Sequence, residues 1–288
     1  MSRIAFLSMD SLEGFVAYDV LVAECLKTRG FTVDDVSWHR PNVCWDDYDM
    51  VVVRSPWDYQ QSANEFLRVL ESIEASKADL WNSIDVIRWN IQKTYLLKLH
   101  EQNLQIVPTQ FVVSPTVAQL RQMFNVLQSE QIVIKPVIGA NADDAYWLRT
   151  DASTEELQHI QSLYKGRTAL IQPFVANVIH WGELSLMFFD GQYSHSILKT
   201  PKAGDFRVQE EHGGRIRTHE PERGEIEFAQ RCLTAVPQQT LYARVDLVKL
   251  EDGQPAVMEL ELIEPSLYLS YDADSAERFA DAIQRFNA

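Results

Sequence analysis

Residues 242–265 (YARVDLVKLEDGQPAVMELELIEP) constrain the fold of this 288-residue chain more than any other segment. The dipeptide Asp252-Gly253 lies between two runs of alternating apolar residues, a pattern typical of a β-hairpin with a two-residue turn. Because side chains alternate between the faces of a strand, this register predicts one apolar and one charged face. The apolar face is filled by Val245, Leu247, Met258 and Leu260. Across the charged face, Asp246 lies opposite Glu259, and Arg244 lies opposite Glu261.

The predicted opposition of Asp246 and Glu259 places two like charges side by side, which destabilises a sheet. Such a pair requires either a raised pKa or a cation between the carboxylates. Hard divalent cations such as Mg²⁺ take oxygen ligands, so this face is a candidate metal site, which Glu264 could join. The alternative is a solvated face of an edge hairpin, on which Arg244 neutralises its acidic neighbours.

The whole chain predicts an α/β fold. Up to about residue 85, short apolar strands alternate with helices, which indicates a parallel sheet covered on both faces. These strands are predicted at residues 4–7, 31–36, 50–53 and 80–81, and the helices at 15–28 and 62–76. A single helix follows over residues 85–102. Beyond it come a small α+β unit, further strands with a polar loop, and a final helix at 275–287.

Charge and composition disfavour several classes of partner. The sequence has 41 acidic and 26 basic residues, a formal net charge of −15 at pH 7. A protein that binds nucleic acid or an anionic membrane surface needs a cationic footprint, so both partners are disfavoured. Three widely separated cysteines, an N-terminus unlike a signal peptide and the lack of an apolar run of membrane-spanning length predict a cytoplasmic protein.

Two lysines are candidate phosphate ligands. Lys135 ends an apolar strand before Pro136, and its side chain must reach either a ligand phosphate or a salt-bridge partner at the strand end. Lys93 falls within the predicted helix at 85–102, where a surface position is the more usual interpretation. The segment Gly139-Ala140-Asn141 is a weak candidate for a turn that covers phosphate.

A polar loop at residues 204–214 contains Arg207 and lies close in sequence to Lys199. Its paired glycines, Gly213 and Gly214, predict a close approach of the backbone to another group. The common motifs of P-loop and Rossmann nucleotide sites, zinc metalloproteases and α/β-hydrolases are absent from the sequence.

Taken in order along the chain, these segments resemble the ATP-grasp superfamily. The resemblance rests on Lys93, IKP at 134–136, IQPF at 171–174, GELSLMFFDG at 182–191, GDFRVQEEHGG at 204–214, RVD at 244–246 and ELE at 259–261. The loop at 204–214 is similar to that of the glutathione synthetase and ribosomal-protein-S6 glutamate ligase branch. RSPWDY at 54–59 and ELELIEPSLYL at 259–269 resemble segments of the cyclo-ligases that make D-cycloserine from O-ureido-serine.

The resemblance implies a domain organisation and a set of ligands. An N-terminal parallel-sheet pre-ATP-grasp domain would cover residues 1–88, and an ATP-grasp domain would cover 89–288. The latter would consist of two α+β halves, a small lid-like half at about 105–175 and a catalytic half at about 176–288. ATP with Mg²⁺, or with Mn²⁺, would be the cofactor, a small amino-acid-like molecule the substrate, and a homodimer a possible assembly.

The resemblance also assigns roles to individual residues. The expected nucleotide-binding residues are Lys93, Lys135, Gln172, Pro173, Phe174, Val175, Glu183 and Lys199. The two early lysines would bind phosphates, and the backbone at 172–175 would meet adenine. The expected Mg²⁺ ligands are Asp246, Glu259 and Glu261. Arg207 and Arg244 would stabilise charge on the transferring phosphoryl group and on an acyl phosphate.

Two departures from the family pattern stand out. Glu261 occupies a position where family members often carry asparagine, and the loop after Lys135, usually glycine-rich, contains one glycine over residues 137–147. Near the first domain, RSPWDY follows a strand end, where open α/β sheets bind ligands, so part of it is expected in the substrate pocket. The alternative is loop packing with an Arg–Asp pair.

The implied reaction is the ATP-dependent formation of a C–N bond. ATP would phosphorylate a carboxylate or carbonyl-type oxygen, and an amine would then displace phosphate; in a cyclo-ligase both groups belong to one molecule. The alternatives are an intermolecular amino-acid or peptide ligase, a small-molecule kinase, and a non-catalytic ATP-binding module. The last is disfavoured because the sequence keeps the complete set of Arg207, Arg244, Asp246 and Glu259.

Overall fold

The computed structural model describes residues 2–139, 143–210 and 213–287. Its N-terminal strands are β1 (Arg3–Ser8), β2 (Thr32–Ser37), β3 (Met50–Ser55) and β4 (Asp79–Trp81). They form a parallel sheet in the order β2-β1-β3-β4. Helices α1 (Asp19–Thr28) and α2 (Ala63–Glu74) connect the strands.

The central strand β1 is buried on both faces. Ile4 and Phe6 belong to the same core as α1, whereas Ala5 and Leu7 belong to the core that contains α2. Since neighbouring side chains of a strand point to opposite faces, the two helices must cover opposite sides of the sheet. The predicted parallel sheet covered on both faces is confirmed.

The predicted helix over residues 85–102 is wrong as a single element. The structure has two helices, α3 (Ile84–Asn90) and α4 (Tyr95–Glu101), with a break between them. In the break the backbone N–H of Lys93 donates to the carbonyl oxygen of Val137 at 2.9 Å. This hydrogen bond to a distant segment replaces a hydrogen bond of the helix, so tertiary contacts override the helical periodicity.

The second sheet is small and antiparallel. Its strands are β5 (Gln110–Val113), β6 (Gln131–Pro136), β7 (Tyr146–Arg149) and β8 (Thr168–Pro173), in the order β5-β8-β6-β7. Helices α5 (Val117–Val126) and α6 (Thr154–Leu163) pack on the sheet in one apolar core with Ile132 and Ile134. The predicted small α+β unit is therefore present.

The third sheet is antiparallel and carries most of the predicted site. Its strands are β9 (Glu183–Phe189), β10 (Gln192–Thr200), β11 (Arg215–Thr218), β12 (Tyr242–Lys249) and β13 (Pro255–Glu261), in the order β11-β10-β9-β12-β13. The remaining helices of the described residues are α7 (Asn177–His180), α8 (Arg223–Leu233) and α9 (Ser275–Phe286). The short elements α7 and β11 were not predicted from the sequence.

The hairpin β12–β13 has the predicted charged pairs but not the predicted turn. Leu250 N–H donates to the carbonyl oxygen of Gln254 at 3.0 Å, which leaves three residues, 251–253, in the turn. Gly253 adopts a φ of 80°, the left-handed conformation that such three-residue turns require. The sequence-based prediction of a two-residue turn is therefore wrong.

A β-bulge restores the register that the longer turn displaces. Asp246 pairs with Glu259 while its neighbour Leu247 pairs with Val257, so Met258 is an extra residue on β13. Because of the bulge, Met258 lines a cavity beside Lys135, with its Sδ 3.8 Å from Nζ, instead of filling the apolar face. The predicted place of Met258 is wrong, whereas the predicted pairs of Asp246 with Glu259 and Arg244 with Glu261 are confirmed.

The last helix of the chain packs against the first strand and the first helix. In α9, Phe279 and Ile283 pack in the same core as Ile4 of β1, and Arg29 after α1 forms ion pairs with Glu277 and Asp281. The mixed α/β fold with a parallel N-terminal sheet is confirmed. The domain boundaries near residues 88 and 175 stay predictions.

In the part of the chain that the structure describes, no helix is long and apolar enough to cross a membrane.

Candidate active site

One cavity gathers all the residues that the sequence assigns to the site. It lies between the small sheet and the β12–β13 hairpin, and the N-terminal unit contributes side chains to one end. The predicted residues that line it are Lys93, Lys135, Gln172, Pro173, Phe174, Val175, Glu183, Lys199, Arg207, Arg244, Asp246, Glu259 and Glu261. Segments separated by up to 168 positions in the sequence therefore converge on one site.

Glu259 lies between the two lysines predicted to bind phosphate. Its Oε1 is 2.6 Å from Lys135 Nζ, and its Oε2 is 3.2 Å from Lys93 Nζ. Burial opposes the charged form, but the two ammonium groups outweigh it and hold the pKa of Glu259 below its ordinary value. The Lys93 ammonium also donates to the carbonyl oxygen of Gly139 at 3.2 Å. Both open alternatives for Lys135 are thus present in one place, a salt bridge and a position facing a ligand cavity.

Arg244 forms ion pairs with the other two predicted metal ligands, Asp246 and Glu261. Its Nη2 is 2.9 Å from Asp246 Oδ2 and 2.5 Å from Glu261 Oε1. Asp246 also accepts a hydrogen bond from the Ser185 hydroxyl at 2.5 Å. Burial opposes the charge on Asp246, yet Arg244 and Lys199 keep its pKa below the ordinary value. The Arg244 guanidinium therefore acts as the internal counter-ion of this part of the hairpin.

A second buried cation, Lys199, completes this network. Its Nζ is 2.6 Å from Glu183 Oε1 and 3.5 Å from Asp246 Oδ2, and its side chain is 3% exposed. Burial raises the pKa of Glu183, although the ammonium of Lys199 counteracts this effect. The charges of this network come from four neighbouring strands, β10, β9, β12 and β13, so the network links the middle of the sheet to its edge.

The carboxylates fit a hard cation in chemistry, although each is ion-paired in the structure. Among residues 2–139, 143–210 and 213–287, no three acidic, histidine or cysteine side chains are placed to hold a metal ion together. Burial raises the pKa of Glu261, and Asp246 and Glu259 add repulsion to it. A divalent cation would relieve that repulsion. The assignment of Asp246, Glu259 and Glu261 as metal ligands stays a prediction.

The cavity is aromatic and apolar beside the predicted adenine-binding segment. Phe174 stacks on Trp147 with ring centroids 4.5 Å apart and an interplanar angle of 30°. The Gln172 side chain donates to the Thr109 hydroxyl at 2.9 Å, which fixes the start of the predicted adenine-binding segment. Met258 also lines the cavity. Sequence reasoning missed Met258 because its alternation placed that side chain on the opposite face.

The loop at 204–214 brings Arg207 to the cavity. Arg207 Nε and Nη2 donate to the Asp205 carboxylate at 3.0 and 2.9 Å, and this pairing lowers the pKa of Asp205. The loop folds back closely, because a Cβ atom on Gly214 would lie 2.0 Å from the carbonyl oxygen of Val208. The predicted close approach is confirmed at Gly214, where the neighbouring group is the backbone of the same loop.

Two predicted segments are only partly described. Ala140 and Asn141 of the proposed phosphate-covering turn lie outside the described residues, as do residues 211 and 212 of the loop at 204–214.

The segment 54–59 divides between the cavity and the protein core. Trp57 and Tyr59 line the cavity, as predicted for part of this segment. Arg54 is 2% exposed and pairs with Asp19 at 2.8 Å, which is the packing role considered as the alternative. Asp58 also has a structural role, because its Oδ1 accepts a hydrogen bond from the indole of Trp38 at 2.7 Å.

Glu264 lies at the same end of the cavity as Trp57 and Tyr59. The indole N–H of Trp57 donates to the backbone oxygen of Glu264 at 2.8 Å, and the Tyr59 hydroxyl interacts with its carboxyl. Burial, reinforced by repulsion from Glu261, raises the pKa of Glu264 to about 8. The cavity thus has two ends, a phosphate and adenine end near Lys135 and a second end near Glu264.

Comparison with known families identifies the class to which this fold and site belong. Residues 97–250 match the ATP-grasp domain of prokaryotic glutathione synthetase. The chain belongs to the ATP-grasp family and is an ATP-dependent ligase of the class that forms carbon–nitrogen bonds. Residues 4–82 match the N-terminal domain of the D-cycloserine synthetase DcsG.

Particular relatives resemble the chain over its full length. It is 30% identical over 292 residues to the cycloserine biosynthesis protein DcsG of Streptomyces lavendulae, with 97% of each sequence covered. The crystal structure of D-cycloserine synthetase DcsG has a TM-score of 0.90 and 28% identity over 100% of both chains. The resemblance to ATP-grasp proteins and to cycloserine-forming enzymes is therefore confirmed.

A more distant solved structure shares the fold. The ATP-grasp ligase PsnB, in complex with Mg and ADP, has a TM-score of 0.70 at 15% identity, covering 100% of this chain and 99% of that chain. At this level of identity the likeness concerns the fold alone.

Proposed function

We propose that the protein is an ATP- and Mg²⁺-dependent cyclo-ligase that closes a ring in a small amino-acid-like substrate through an acyl-phosphate-type intermediate. The observation that carries this proposal is the two-ended cavity. One end presents Lys93 and Lys135 beside Glu259, and the other end is lined by Trp57 and Tyr59. The likeness to D-cycloserine synthetase over the whole chain supports the same conclusion.

The proposed roles of the charged residues follow from their positions. Lys93 and Lys135 would exchange their contact with Glu259 for contacts with ATP phosphates. Arg207 and Arg244 would stabilise negative charge on the transferring phosphoryl group. A nitrogen of the same substrate molecule would then attack the activated carbonyl carbon, and phosphate would leave.

The metal would be held by Asp246, Glu259 and Glu261, whose oxygen donors suit Mg²⁺ and also Mn²⁺. When bound, it would neutralise charge on the phosphates. Glu183 and Lys199 would support the site from the middle of the sheet, where they are buried. We further propose a cytoplasmic enzyme and, as its assembly, a homodimer.

The test is ATP turnover with O-ureido-serine of both configurations, Mg²⁺ and the purified protein. We expect substrate-dependent release of ADP and phosphate, and a ring-closed product that contains atoms of one substrate molecule, identified by mass spectrometry. A coupled product of two molecules would indicate an intermolecular ligase, and a stable phosphorylated product would indicate a kinase. Release of AMP, or no turnover at all, would contradict the proposal.

A further inference from the structure

Glu264 differs from Glu183 and from the three predicted metal ligands in having no ion-pair partner in the described part of the chain. Glu183, Asp246, Glu259 and Glu261 each form an ion pair with a lysine or an arginine. Among the described residues, no lysine, arginine or histidine forms an ion pair with Glu264, although this side chain lines the same cavity. Its carboxyl interacts instead with the hydroxyl of a tyrosine.

The backbone around Glu264 is fixed by long-range hydrogen bonds. Trp57 donates to the carbonyl oxygen of Glu264 at 2.8 Å, Arg54 donates to that of Pro265 at 3.3 Å, and Arg244 donates to that of Ser266 at 3.1 Å. Three side chains from two other segments therefore fix three successive residues. Because the backbone is anchored in this way, the carboxyl group is presented to the cavity in a defined position, as a preorganised ligand site requires.

The walls around this carboxyl suit an organic cation. Trp57 and Tyr59 line the cavity beside it, and Phe15 lies against Trp57 with ring centroids 5.4 Å apart. Aromatic faces attract ammonium groups, and a carboxylate without a counter-ion attracts them more strongly. A half-buried acidic group without an ion pair is costly to ionise, and burial together with repulsion from Glu261 raises its pKa to about 8. A ligand ammonium would remove that cost.

We propose that Glu264 is a specificity-determining residue that binds the protonated α-amino group of the substrate. This inference rests on the proposed function and adds to it the residue that would recognise the ammonium group of the amino-acid-like substrate. The substrate carboxylate would then lie toward Arg244, whose guanidinium is bonded to the carbonyl oxygen of Ser266, two residues from Glu264. An α-amino acid carries both groups on one carbon, so a single substrate molecule would contact both side chains, which line the same cavity.

This arrangement also determines which nitrogen reacts. An amine held as an ammonium ion has no free electron pair and cannot attack an acyl phosphate. With the α-nitrogen bound at Glu264, the attacking nitrogen must belong to another part of the molecule, as ring closure through a side chain requires. Glu264 is thereby distinguished from the predicted metal ligands, whose role is toward the nucleotide.

The test compares each substrate with its counterpart that lacks the amino group. The probes are O-ureido-serine of both configurations and 3-(ureidooxy)propanoic acid, with binding measured by calorimetry in the presence of Mg²⁺ and a non-hydrolysable ATP analogue. We expect the wild-type protein to bind one of the amino compounds at least about tenfold more tightly than the des-amino acid. Glu264→Gln should reduce this preference to within about twofold, and Glu264→Asp should restore part of it.

Two further measurements separate this proposal from its alternatives. The affinity for the Mg²⁺–nucleotide complex should be unchanged in Glu264→Gln; its loss would make Glu264 a metal ligand and overturn the proposal. Glu210→Gln removes another cavity carboxylate, whose oxygen is 3.2 Å from the Tyr271 hydroxyl, and should keep the preference for the amino compound. Loss of preference in this variant alone would also overturn the proposal. Binding without turnover would contradict the ligase function but leave the role of Glu264 intact.

Discussion

The two ends of the cavity differ in whether their carboxylates form ion pairs with basic side chains of the protein. At the nucleotide end, the carboxylates of Glu259, Asp246 and Glu261 are all neutralised by lysine or arginine side chains from the protein itself. At the other end, Glu264 has no such partner among the described residues. At the nucleotide end each carboxylate thus has a basic partner within the protein, whereas at the substrate end we propose that the ammonium group of a ligand takes that place.

The largest expected effect concerns turnover in Glu259→Gln. Glu259 is the common partner of Lys93 and Lys135 and a predicted ligand of Mg²⁺, so we expect ADP release to fall at least about 100-fold. The fold should persist, because the Glu259 side chain is 21% exposed and faces the cavity. Steady-state ADP release and circular dichroism measure the two effects.

Glu251→Gln is the matched control for this variant, since Glu251 is exposed in the turn of the same hairpin. It should retain wild-type turnover. If Glu259→Gln also turned over ATP at the wild-type rate, Glu259 could not be a metal ligand, and the nucleotide end would have been assigned incorrectly.

The second prediction compares stability at the two ends. The side chain of Asp246 is 3% exposed and forms ion pairs with Arg244 and Lys199. Asp246→Asn therefore removes a negative charge that neutralises two buried cations. We expect the free energy of unfolding to fall by about 3–5 kcal/mol. Glu264→Gln removes an acidic group that has no ion-pair partner within the described ranges, and it should raise the free energy of unfolding by about 1–2 kcal/mol. Urea denaturation at pH 7 measures both, and equal losses in the two variants would contradict the contrast.

The pH dependence of stability sharpens the same contrast. Burial and repulsion from Glu261 raise the pKa of Glu264 from an ordinary 4.5 to about 8 in the folded protein. Between these values the folded state keeps a proton that the unfolded chain releases, so this group lowers stability as the pH rises from about 4.5 to 8. Glu264→Gln should remove a loss of the order of 2 kcal/mol over that range, after allowance for partial exposure to water.

The measurement is the difference in unfolding free energy between wild type and Glu264→Gln at several values from pH 5 to pH 8. The difference should grow in favour of the variant as the pH rises. A parallel series with Glu251→Gln accounts for changes unrelated to the cavity. A constant difference would show that Glu264 is already ionised at pH 5 and has a counter-ion.

The charged face of the hairpin was predicted correctly from the sequence, whereas its turn and its bulge were not. The pairing of Asp246 with Glu259 is correct although the assumed two-residue turn is not, because the three-residue turn and the bulge at Met258 compensate each other. The break that frees Lys93 could not be predicted, since it depends on a hydrogen bond to Val137, 44 residues away. Periodicity reports local preferences, and such long-range bonds are invisible to it.

The lack of an ion-pair partner for Glu264 among the described residues likewise depends on how the chain folds. The side chains that surround it, Trp57 and Tyr59, come from a segment about 200 residues earlier, as the separation of 207 positions between Trp57 and Glu264 shows. The sequence suggested that Glu264 could join the metal ligands because of its short distance from Glu261. Only the fold shows that aromatic groups of the N-terminal unit lie beside it.

The smallest expected effect tests how strictly the substrate end is positioned. Trp57→Phe keeps an aromatic wall but removes the indole N–H that donates to the backbone oxygen of Glu264. One such hydrogen bond contributes about 1 kcal/mol, so we expect the KM for the amino-acid substrate to rise about fivefold, with the KM for MgATP unchanged. Trp38→Phe is the matched control, because it loses an indole hydrogen bond to Asp58 away from the cavity and should change neither KM. A rise in both constants for Trp57→Phe would show that the two ends of the cavity are not independent, since a change confined to the substrate end would then have reached the nucleotide.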